Sequence, residues 1–251
     1  MCTVVFIPTQ TGCLLASLRD DDPQQPKAIA PSINTSQAVS FLAPSDPFLG
    51  GTWGGVNELG SVIMLLRGGF EQHKNQAYSP KNSSLLVAEL LTAPLPVVEW
   101  NLMDMANVAP FTLIVWSDGL LFQLVWDGTT KHRKRLDARK AHLWSSVVLY
   151  DQEAQALRQE AFENWVAMEP PVSKLTLLSF FKSLIDNQNG FIVNRNDGIK
   201  TLSYSFVELN NSQNNANMSY YDLLDYTYHN TKITVASNGD YCALPFLSNY
   251  Q

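Results

Sequence analysis

The residue with the clearest chemical potential is Cys2, which directly follows a removable initiator methionine. An N-terminal cysteine can act as a nucleophile through its thiolate. One strand's length later, Arg19 is followed by Asp20, Asp21 and Asp22. The alternative is that Cys2 is a small apolar residue that opens an edge strand. Position alone leaves both interpretations open.

A predicted β-hairpin would bring these groups together. Residues 3–7 and 13–18 are apolar runs, and the connection between them, residues 8–12, carries a glycine. This geometry sets Cys2 at the start of one strand and Arg19 at the end of its partner. The hairpin therefore makes Arg19 the candidate neighbour of the Cys2 thiol.

The rest of the chain alternates further hairpins with helices. Pro, Ser, Gln and Asp dominate residues 20–47, which predicts an extended loop. The other predictions are strands at 53–56, 61–66, 111–116, 120–126, 199–207 and 233–236, helices from 83 to the prolines at 94 and 96 and at 97–103, 151–168 and 174–186, and a loop at 210–217. This order predicts an α+β fold whose antiparallel sheets are covered by helices, in one domain spanning residues 1–251.

Composition excludes several classes of function. The chain has 251 residues, of which 45% are hydrophobic and 16% charged, as expected for a globular core. A net charge of -6 argues against a general nucleic-acid binder, which needs a basic surface. The basic run at 131–140 predicts a solvated hairpin arm, with a polyanion patch or localisation signal as the alternative.

Cysteine and histidine usage predicts neither a disulfide framework nor a metal site. Three cysteines are an odd number, which suits a reducing compartment, and four histidines show no metal-ligand spacing. We see no secretory signal and no apolar run long enough to span a membrane. The sequence therefore predicts a cytoplasmic protein without a metal or an obligatory cofactor, acting on a small-molecule substrate or ligand.

Eight stretches, taken together and in order, resemble the NRDE family, also called the transport and Golgi organisation 2-like family. They are MCTVVFIP at position 1, LRDDDP at 18, GGTWGGVNELG at 50, LLRGGFEQH at 65, PFTLIVW at 110, WDGTTKH at 126, HLWSSVVLYDQEAQALRQEAFENW at 142 and GIKTLSYSFVEL at 198. The resemblance covers about the whole chain. It implies a fold like that of the N-terminal nucleophile hydrolases, a four-layer αββα sandwich of two antiparallel sheets between helix layers.

The resemblance also implies a mechanism. In cysteine members of that superfamily, the N-terminal cysteine attacks an amide carbonyl and its own α-amine is the base. The amine titrates near pH 7.7–8.0 and the thiol near 8.5, so the two can exchange a proton near neutrality. Cys2 would then be nucleophile and base once the initiator methionine is removed. Arg19 would stabilise the thiolate, and Asp20 or Asp22 would hold the amine.

Two positions depart from the family pattern. Leu18 stands where the family letters have asparagine, in a Leu-Arg-Asp-Asp sequence instead of Asn-Arg-Asp-Glu. Arg67 stands where related hydrolases place an asparagine that helps to form the oxyanion hole. An arginine can also donate to an oxyanion, and the peptide N–H groups of Gly68 and Gly69 are further candidate donors.

Four further residues join Gly68 and Gly69 as candidates for substrate binding. Ser145 and Ser146 occupy the place of another polar residue in related hydrolases, and either could orient a substrate carbonyl. Trp53 could form a wall of the site, whereas its flanking glycines could equally serve tight packing of a hairpin arm. Arg158 matches a family arginine, and the alternative is an exposed ion pair with Asp151 or Glu160.

Two functions follow from this reading. The first is a cysteine amidohydrolase or acyltransferase acting on a small acyl-amide, with Cys2, Arg19, Asp20 and Arg67 as its catalytic residues. The second is a non-catalytic binding or trafficking protein on the same fold. Its ligand would be haem or a lipid-like molecule, with Cys2 or His73 as a possible axial ligand to haem iron.

Overall fold

The computed structural model describes residues 3–35, 38–71 and 83–236, so that the candidates Cys2 and His73 lie outside the described residues. Within these ranges the chain forms thirteen strands and four α-helices. The strands are β1 (Thr3–Thr9), β2 (Gly12–Asp21), β3 (Ile29–Asn34), β4 (Phe41–Ser45), β5 (Gly54–Asn57), β6 (Val62–Arg67), β7 (Phe111–Ser117), β8 (Leu120–Trp126), β9 (Lys131–Leu136), β10 (His142–Ser145), β11 (Lys200–Asn210), β12 (Asn215–Asp222) and β13 (Tyr228–Thr234). The helices are α1 (Ser83–Leu91), α2 (Pro96–Leu102), α3 (Gln152–Ala167) and α4 (Lys174–Ser183).

The strands form two sheets in which every recorded pairing is antiparallel. One sheet has six strands in the order β10-β1-β2-β11-β12-β13, and the other has seven in the order β3-β4-β5-β6-β7-β8-β9. The hairpin of β1 and β2 lies inside the first sheet, with β10 on one side and β11 on the other. The start of β1 is therefore flanked by a strand on each side.

Alternating side chains of β1 explain how the layers stack. Val4 and Phe6 face the other sheet and pack with Met64 of β6, while Val5 and Ile7 face α3 and α4. This period of two follows from the pleat of a strand. Both faces of β1 are consequently apolar and buried.

The outer layers are built by the helices. An apolar cluster around Trp100 and Phe111 joins α1 and α2 to the seven-stranded sheet, and one around Phe162 and Phe206 joins α3 and α4 to the six-stranded sheet. The layer order is therefore helices, sheet, sheet, helices, which confirms the four-layer αββα prediction. None of the helices in the described ranges is long and apolar enough to cross a membrane.

The helices α3 and α4 begin within one residue of their predicted starts. Asp151 caps α3 by accepting a hydrogen bond from the Ala154 N–H at 2.9 Å. Ser173 and Thr176 form a capping box at the start of α4. The helix predicted at 174–186 ends three residues earlier than expected, at Ser183.

The predicted loop at 20–47 is partly wrong, because β2 continues through Asp21 and both β3 and β4 lie inside it. Prolines in these two strands obscured the pattern. Pro44 is tolerated because β4 pairs with β5 only through Phe41 and Leu42, so its missing N–H falls beyond that ladder. Pro31 lies in β3, which is an edge strand.

The C-terminal strands also differ from the prediction. The run at 210–217 was expected to be a loop, yet β12 begins at Asn215 and pairs with β11 and β13 along its length. Of the strand expected at 233–236, only residues 233 and 234 lie in a strand, at the end of the longer β13. The short β10 was not predicted at all, and it provides the outer neighbour of β1.

The basic run forms an edge strand, as the hairpin-arm prediction required. β9 pairs with β8 on one side only, and Arg133, Lys134 and Arg135 are exposed. Exposed cations on an edge strand oppose pairing with a second molecule.

The glycines around Trp53 serve close packing. A Cβ on Gly55 would lie 2.6 Å from the carbonyl oxygen of Leu42 and 2.8 Å from the Cβ of Ala43. Neither neighbour is the flexible end of a side chain. This observation favours the packing interpretation of the Gly-Gly-Thr-Trp-Gly-Gly stretch over a backbone that approaches a ligand.

We expect Gly55→Ala to lower the free energy of unfolding by about 1–3 kcal/mol, because the added methyl overpacks the junction of β4 and β5. Urea denaturation followed by circular dichroism measures the change. Thr11→Ala, in the exposed turn of the first hairpin, is the control and should change stability by less than about 0.5 kcal/mol. Equal stabilities for the two variants would contradict the packing argument.

Candidate active site

The candidate site surrounds the first described residue of β1. Thr3 is fully buried and pairs with Leu18 of β2 on one side and Ser145 of β10 on the other. The next residues outward on the flanking chains are Arg19 and Ser146. The structure thus brings the LRDDDP and HLWSS stretches to the same end of the central strands.

Asp21 joins two arginines from different sheets. Its Oδ2 lies 2.7 Å from Nη2 of Arg67 on β6 and 3.6 Å from Nη2 of Arg19 on β2. Burial raises the pKa of the Asp21 carboxyl, while the guanidinium charges of Arg67 and Arg19 and the Asp22 N–H lower it, and the net shift is downward. Asp21 is therefore an anion shared by two cations.

The sequence predicts Arg19 and Arg67 as site residues but predicts no function for Asp21. The family pattern drew attention to the loss of a glutamate at that position. A better signal was strand alternation, since residues two apart on β2 lie on the same face. Arg19 and Asp21 fulfil that spacing.

Trp53 lies beside Arg19. The Arg19 Cζ atom is 4.7 Å from the centroid of the Trp53 ring, in cation–π geometry. Trp53 is 7% exposed, and it does not line the neighbouring cavity described below. Its place in the structure is thus to support the Arg19 guanidinium.

Asp20 is fully buried on the opposite face of β2. Its Oδ2 accepts a hydrogen bond from the Tyr150 hydroxyl at 2.9 Å, and its Oδ1 accepts one from the Thr201 hydroxyl at 2.7 Å. The carboxylate is held in a fixed orientation by these two donors. Asp22, the alternative anchor, is half-buried and accepts a hydrogen bond from the Gln24 N–H.

A cavity of about 410 Å³ opens next to this cluster. It is lined by five of the predicted site residues, namely Arg67, Gly68, Gly69, Ser145 and Ser146. They are the last residue of β6 with the two residues that follow it, and the last residue of β10 with the residue that follows it. The structure therefore unites the oxyanion candidates and the two serines around one space.

The Gly68 N–H donates to the carbonyl oxygen of Pro110 at 3.0 Å. That donor is consequently engaged within the protein, and the expectation that it serves an oxyanion is wrong. The Gly68 carbonyl oxygen is also occupied, because it accepts from the Thr112 hydroxyl at 3.0 Å. Gly69 keeps its place in the cavity lining.

Ser146 links the two sheets at the rim of the cavity. Its hydroxyl donates to the Arg67 carbonyl oxygen at 2.7 Å, and its side chain is buried. This bond fixes the end of β6 against the end of β10. Ser146 thereby positions the backbone of Arg67, and its hydroxyl proton is already committed.

Arg158 is fully buried beneath the start of β1. Its Nε donates to the Ser145 hydroxyl at 2.8 Å, its Nη2 donates to the Thr3 hydroxyl, and its Nη1 donates to the Gly190 carbonyl oxygen. The guanidinium stacks on the Tyr150 ring, with the Arg158 Cζ 3.9 Å from the ring centroid.

The alternative for Arg158, an exposed ion pair with Asp151 or Glu160, is wrong. In the described part of the chain no carboxylate forms a salt bridge with this guanidinium. Its charge is compensated by hydroxyl and carbonyl oxygens and by aromatic faces. Arg158 does not line the cavity, so its contacts make it a positioning residue for Thr3 and Ser145.

Cys13 differs sharply from the proposed nucleophile. It lies between the sheets and is 1% exposed, and burial strongly raises the pKa of its thiol. No group of three or more metal-ligating side chains occurs among the residues that the structure describes.

The Asp21 network yields a pH-dependent stability prediction. Because the folded-state pKa of Asp21 is lowered, its contribution is present above the ordinary value of 3.8 and is lost as the pH falls through the folded-state pKa. We expect Asp21→Asn to cost about 1.5–3 kcal/mol near pH 7, and less below about pH 4. Urea denaturation between pH 3 and 7 measures both effects.

The control for this experiment is Asp118→Asn. Asp118 is exposed in the β7–β8 turn with φ of 51°, a conformation that asparagine also tolerates. Its substitution should change stability by less than about 0.5 kcal/mol at any of these pH values. A pH-independent loss in Asp21→Asn would contradict the ion-pair assignment.

Arg158 yields a second prediction. We expect Arg158→Met to lower the free energy of unfolding by about 2–4 kcal/mol, because several buried oxygen atoms lose their donor. Arg133→Met on the exposed face of β9 is the matched control and should be nearly neutral. Denaturant titration measures the free energy of unfolding of both variants. Equal decreases would contradict the claim that Arg158 is a buried donor to several oxygen atoms.

Comparison with known proteins finds structural likeness without sequence likeness. No protein-family model and no curated protein matches the chain. An N-acylethanolamine-hydrolyzing acid amidase ortholog from Caenorhabditis elegans has a TM-score of 0.59 at 8% identity, covering 82% of this chain and 92% of that one. A variant of the conjugated bile acid hydrolase from Clostridium perfringens has a TM-score of 0.48 at 10% identity, covering 95% of this chain and 99% of that one.

The likeness to the acid amidase ortholog concerns the fold. This likeness fits the two antiparallel sheets and the helix layers that cover them. The protein is an α+β sandwich of the N-terminal nucleophile hydrolase type.

Proposed function

We propose that this protein is an N-terminal cysteine amidohydrolase or acyltransferase of the NRDE type, acting on a small acyl-amide. The observation that carries the proposal is the position of Thr3 between Leu18 and Ser145. The Cα of the preceding residue must lie within about 3.8 Å of the Thr3 Cα, whatever the conformation. Cys2 lies outside the described residues, yet this bond ties it to the end of β1.

The proposed reaction has two stages. The Cys2 thiol passes its proton to the α-amine, and its sulfur bonds to the carbonyl carbon of the amide. The carbon–nitrogen bond then breaks, and the proton moves to the leaving nitrogen, which leaves a thioester on Cys2. Water attacks the thioester in a hydrolase, whereas an acceptor amine attacks it in an acyltransferase, and the thiol is restored.

Arg19 is proposed to stabilise the Cys2 thiolate. A cation beside a thiol lowers its pKa and raises the thiolate fraction at neutral pH. Arg19 is held for this task by Asp21 on one side and by the Trp53 ring on the other. Its side chain is only 12% exposed, so the charge is weakly screened by solvent.

Asp20 is proposed to hold the α-amine of Cys2. Its carboxylate is already oriented by the Tyr150 and Thr201 hydroxyls. A carboxylate fixed in this way can orient an ammonium group without rearranging.

The developing oxyanion is assigned to Arg67 and the Gly69 N–H. The Arg67 guanidinium lines the cavity, and Ser146 fixes the peptide unit that follows β6. Preorganised donors of this kind each contribute about 10²–10³ in rate when their aim is correct. Ser145, held by Arg158, is the proposed contact for the substrate carbonyl or amide.

Mass spectrometry of the native protein tests the nucleophile. We expect the mature chain to begin at Cys2, and iodoacetamide at pH 7 to label Cys2 rapidly while Cys13 stays unmodified, because burial raises the pKa of the Cys13 thiol. Hydrolysis of a panel of short-chain acyl-amides should fall by at least about 10³-fold in Cys2→Ala. The matched control, Cys13→Ala, should keep near-normal activity per folded molecule.

The competing outcome is equally definite. A retained initiator methionine together with an unreactive Cys2 would contradict the enzyme proposal. Tight binding of haemin or a fatty acid, without turnover of any amide, would instead support a binding function on this fold.

A further inference from the structure

The charges around the cavity narrow the substrate class of the proposed enzyme. We propose that its substrate is a small, polar amide carrying an anionic group such as a carboxylate, and that Arg67 binds that group. The inference rests on the proposed function, because it concerns the same cavity. It favours an anionic substrate over the neutral or lipid-like ligands that the sequence also allowed.

The first observation is the composition of the cavity wall. Among the described residues that line it, Arg67 is the only one with a charged side chain. The Arg67 side chain is 52% exposed, so an incoming ligand can reach it. A carboxylate entering this space would meet a cation and no opposing carboxylate in the described lining.

The second observation concerns the charge balance behind Arg67. Asp21 accepts hydrogen bonds from two of the five N–H groups of Arg67 and also forms an ion pair with Arg19. One carboxylate therefore serves two guanidinium groups, and the trio retains one positive charge. Three Arg67 N–H groups remain, so that one can donate to the developing oxyanion while the others donate to the anionic group of the substrate.

The third observation is the amide character of the part of the lining that α3 contributes. Gln155 and Gln159 are four residues apart on α3, so they share a face of the helix. Their side-chain NH₂ groups donate to the Tyr150 carbonyl oxygen and to Glu163, respectively, each at 2.8 Å. This arrangement leaves their Oε1 atoms as acceptors for a substrate N–H or hydroxyl.

The fourth observation is a cation on the neighbouring strand. Lys134 of β9 pairs directly with the cavity-lining Gln123 of β8, and paired residues share one face of a sheet. Lys134 is exposed. Lys134 adds its positive charge to that of Arg67, against the carboxylate of Asp127, whose Cα lies beside Gly69.

The cavity volume limits the ligand size. About 410 Å³ lies near the lower end of the range for small-molecule sites, about 300–1,000 Å³. Arg67, three glutamines, two serines and Thr112 contribute to the lining. A long, unbranched acyl chain would remove water from the Arg67 N–H groups and from the Gln155 and Gln159 Oε1 atoms without offering them a hydrogen bond, which is costly.

Two matched pairs of amides test the inference by binding. N-butyrylglycine and N-butyrylglycinamide differ by a carboxylate on the amine side, and succinic acid monoethylamide and N-ethylsuccinamide differ by one on the acyl side. Isothermal titration of the Cys2→Ala protein measures binding without turnover. We expect the carboxylate member of at least one pair to bind at least about 10-fold more tightly, and the preference to weaken with added salt.

Arg67→Gln should reduce that preference to less than about 2-fold. The fold is expected to persist in this variant because Asp21 keeps its ion pair with Arg19, and circular dichroism checks this. Arg139→Gln is the matched control, since Arg139 is 90% exposed and lies outside the cavity lining. It should leave the preference unchanged.

The outcomes separate the two proposals. Equal binding within both pairs, or a preference that survives in Arg67→Gln, would overturn the anionic-substrate inference. Hydrolysis of amides without such a preference would overturn it too, while leaving the proposed enzyme intact. Loss of the preference in Arg67→Gln supports the anionic-substrate inference even if no amide is hydrolysed. The absence of hydrolysis would then count only against the proposed enzymatic function.

Discussion

The whole site depends on a single carboxylate, Asp21, at the end of β2. Asp21 lies on the six-stranded sheet and forms an ion pair with Arg67 on the seven-stranded sheet. Among the described residues, this is the only recorded ion pair between Arg67 and β2. Its second partner, Arg19, holds the same carboxylate from within its own strand. Without this anion, two guanidinium groups would face each other across the mouth of the sandwich.

The end of β1 is supported in a second way, from the helix side. Arg158 reaches from α3 to the Thr3 hydroxyl and to Ser145, so one side chain fixes two adjacent strands. Burying a cation without a carboxylate is unfavourable unless its N–H groups are satisfied. Tyr150 connects this support to the other face of the site, because its ring lies under Arg158 and its hydroxyl donates to Asp20.

Much of the fold could be predicted from hydrophobic periodicity. The three hairpins and the four helices carry clear signals, and the structure confirms them. The strands β3, β4 and β12 were not predicted because prolines and asparagines interrupt their apolar patterns. In the structure, pairing with neighbouring strands stabilises them despite those residues. Local patterns do not show such compensation.

The sequence predicted which residues form the site better than it predicted the hydrogen bonds and ion pairs between them. Arg19, Asp20, Arg67, Ser145 and Ser146 do gather at one end of the central strands. The partners of Asp21 and Arg158 were not predictable, because Arg67 is 46 residues from Asp21 and Thr3 is 155 residues from Arg158. Contacts between residues so far apart in the sequence are set by the fold topology, and the spacing of residue types along the sequence does not reveal them.

The bonds between Arg158 and the 189–190 loop have a consequence for sequence variation. Arg158 contacts the main-chain carbonyl oxygens of Asn189 and Gly190, so a different side chain at 189 would leave both acceptors in place. Position 190 is more restricted, because a Cβ there would lie 2.4 Å from the carbonyl oxygen of Asp186. Homologous chains that keep this buried arginine should therefore vary freely at the first loop position and retain glycine at the second.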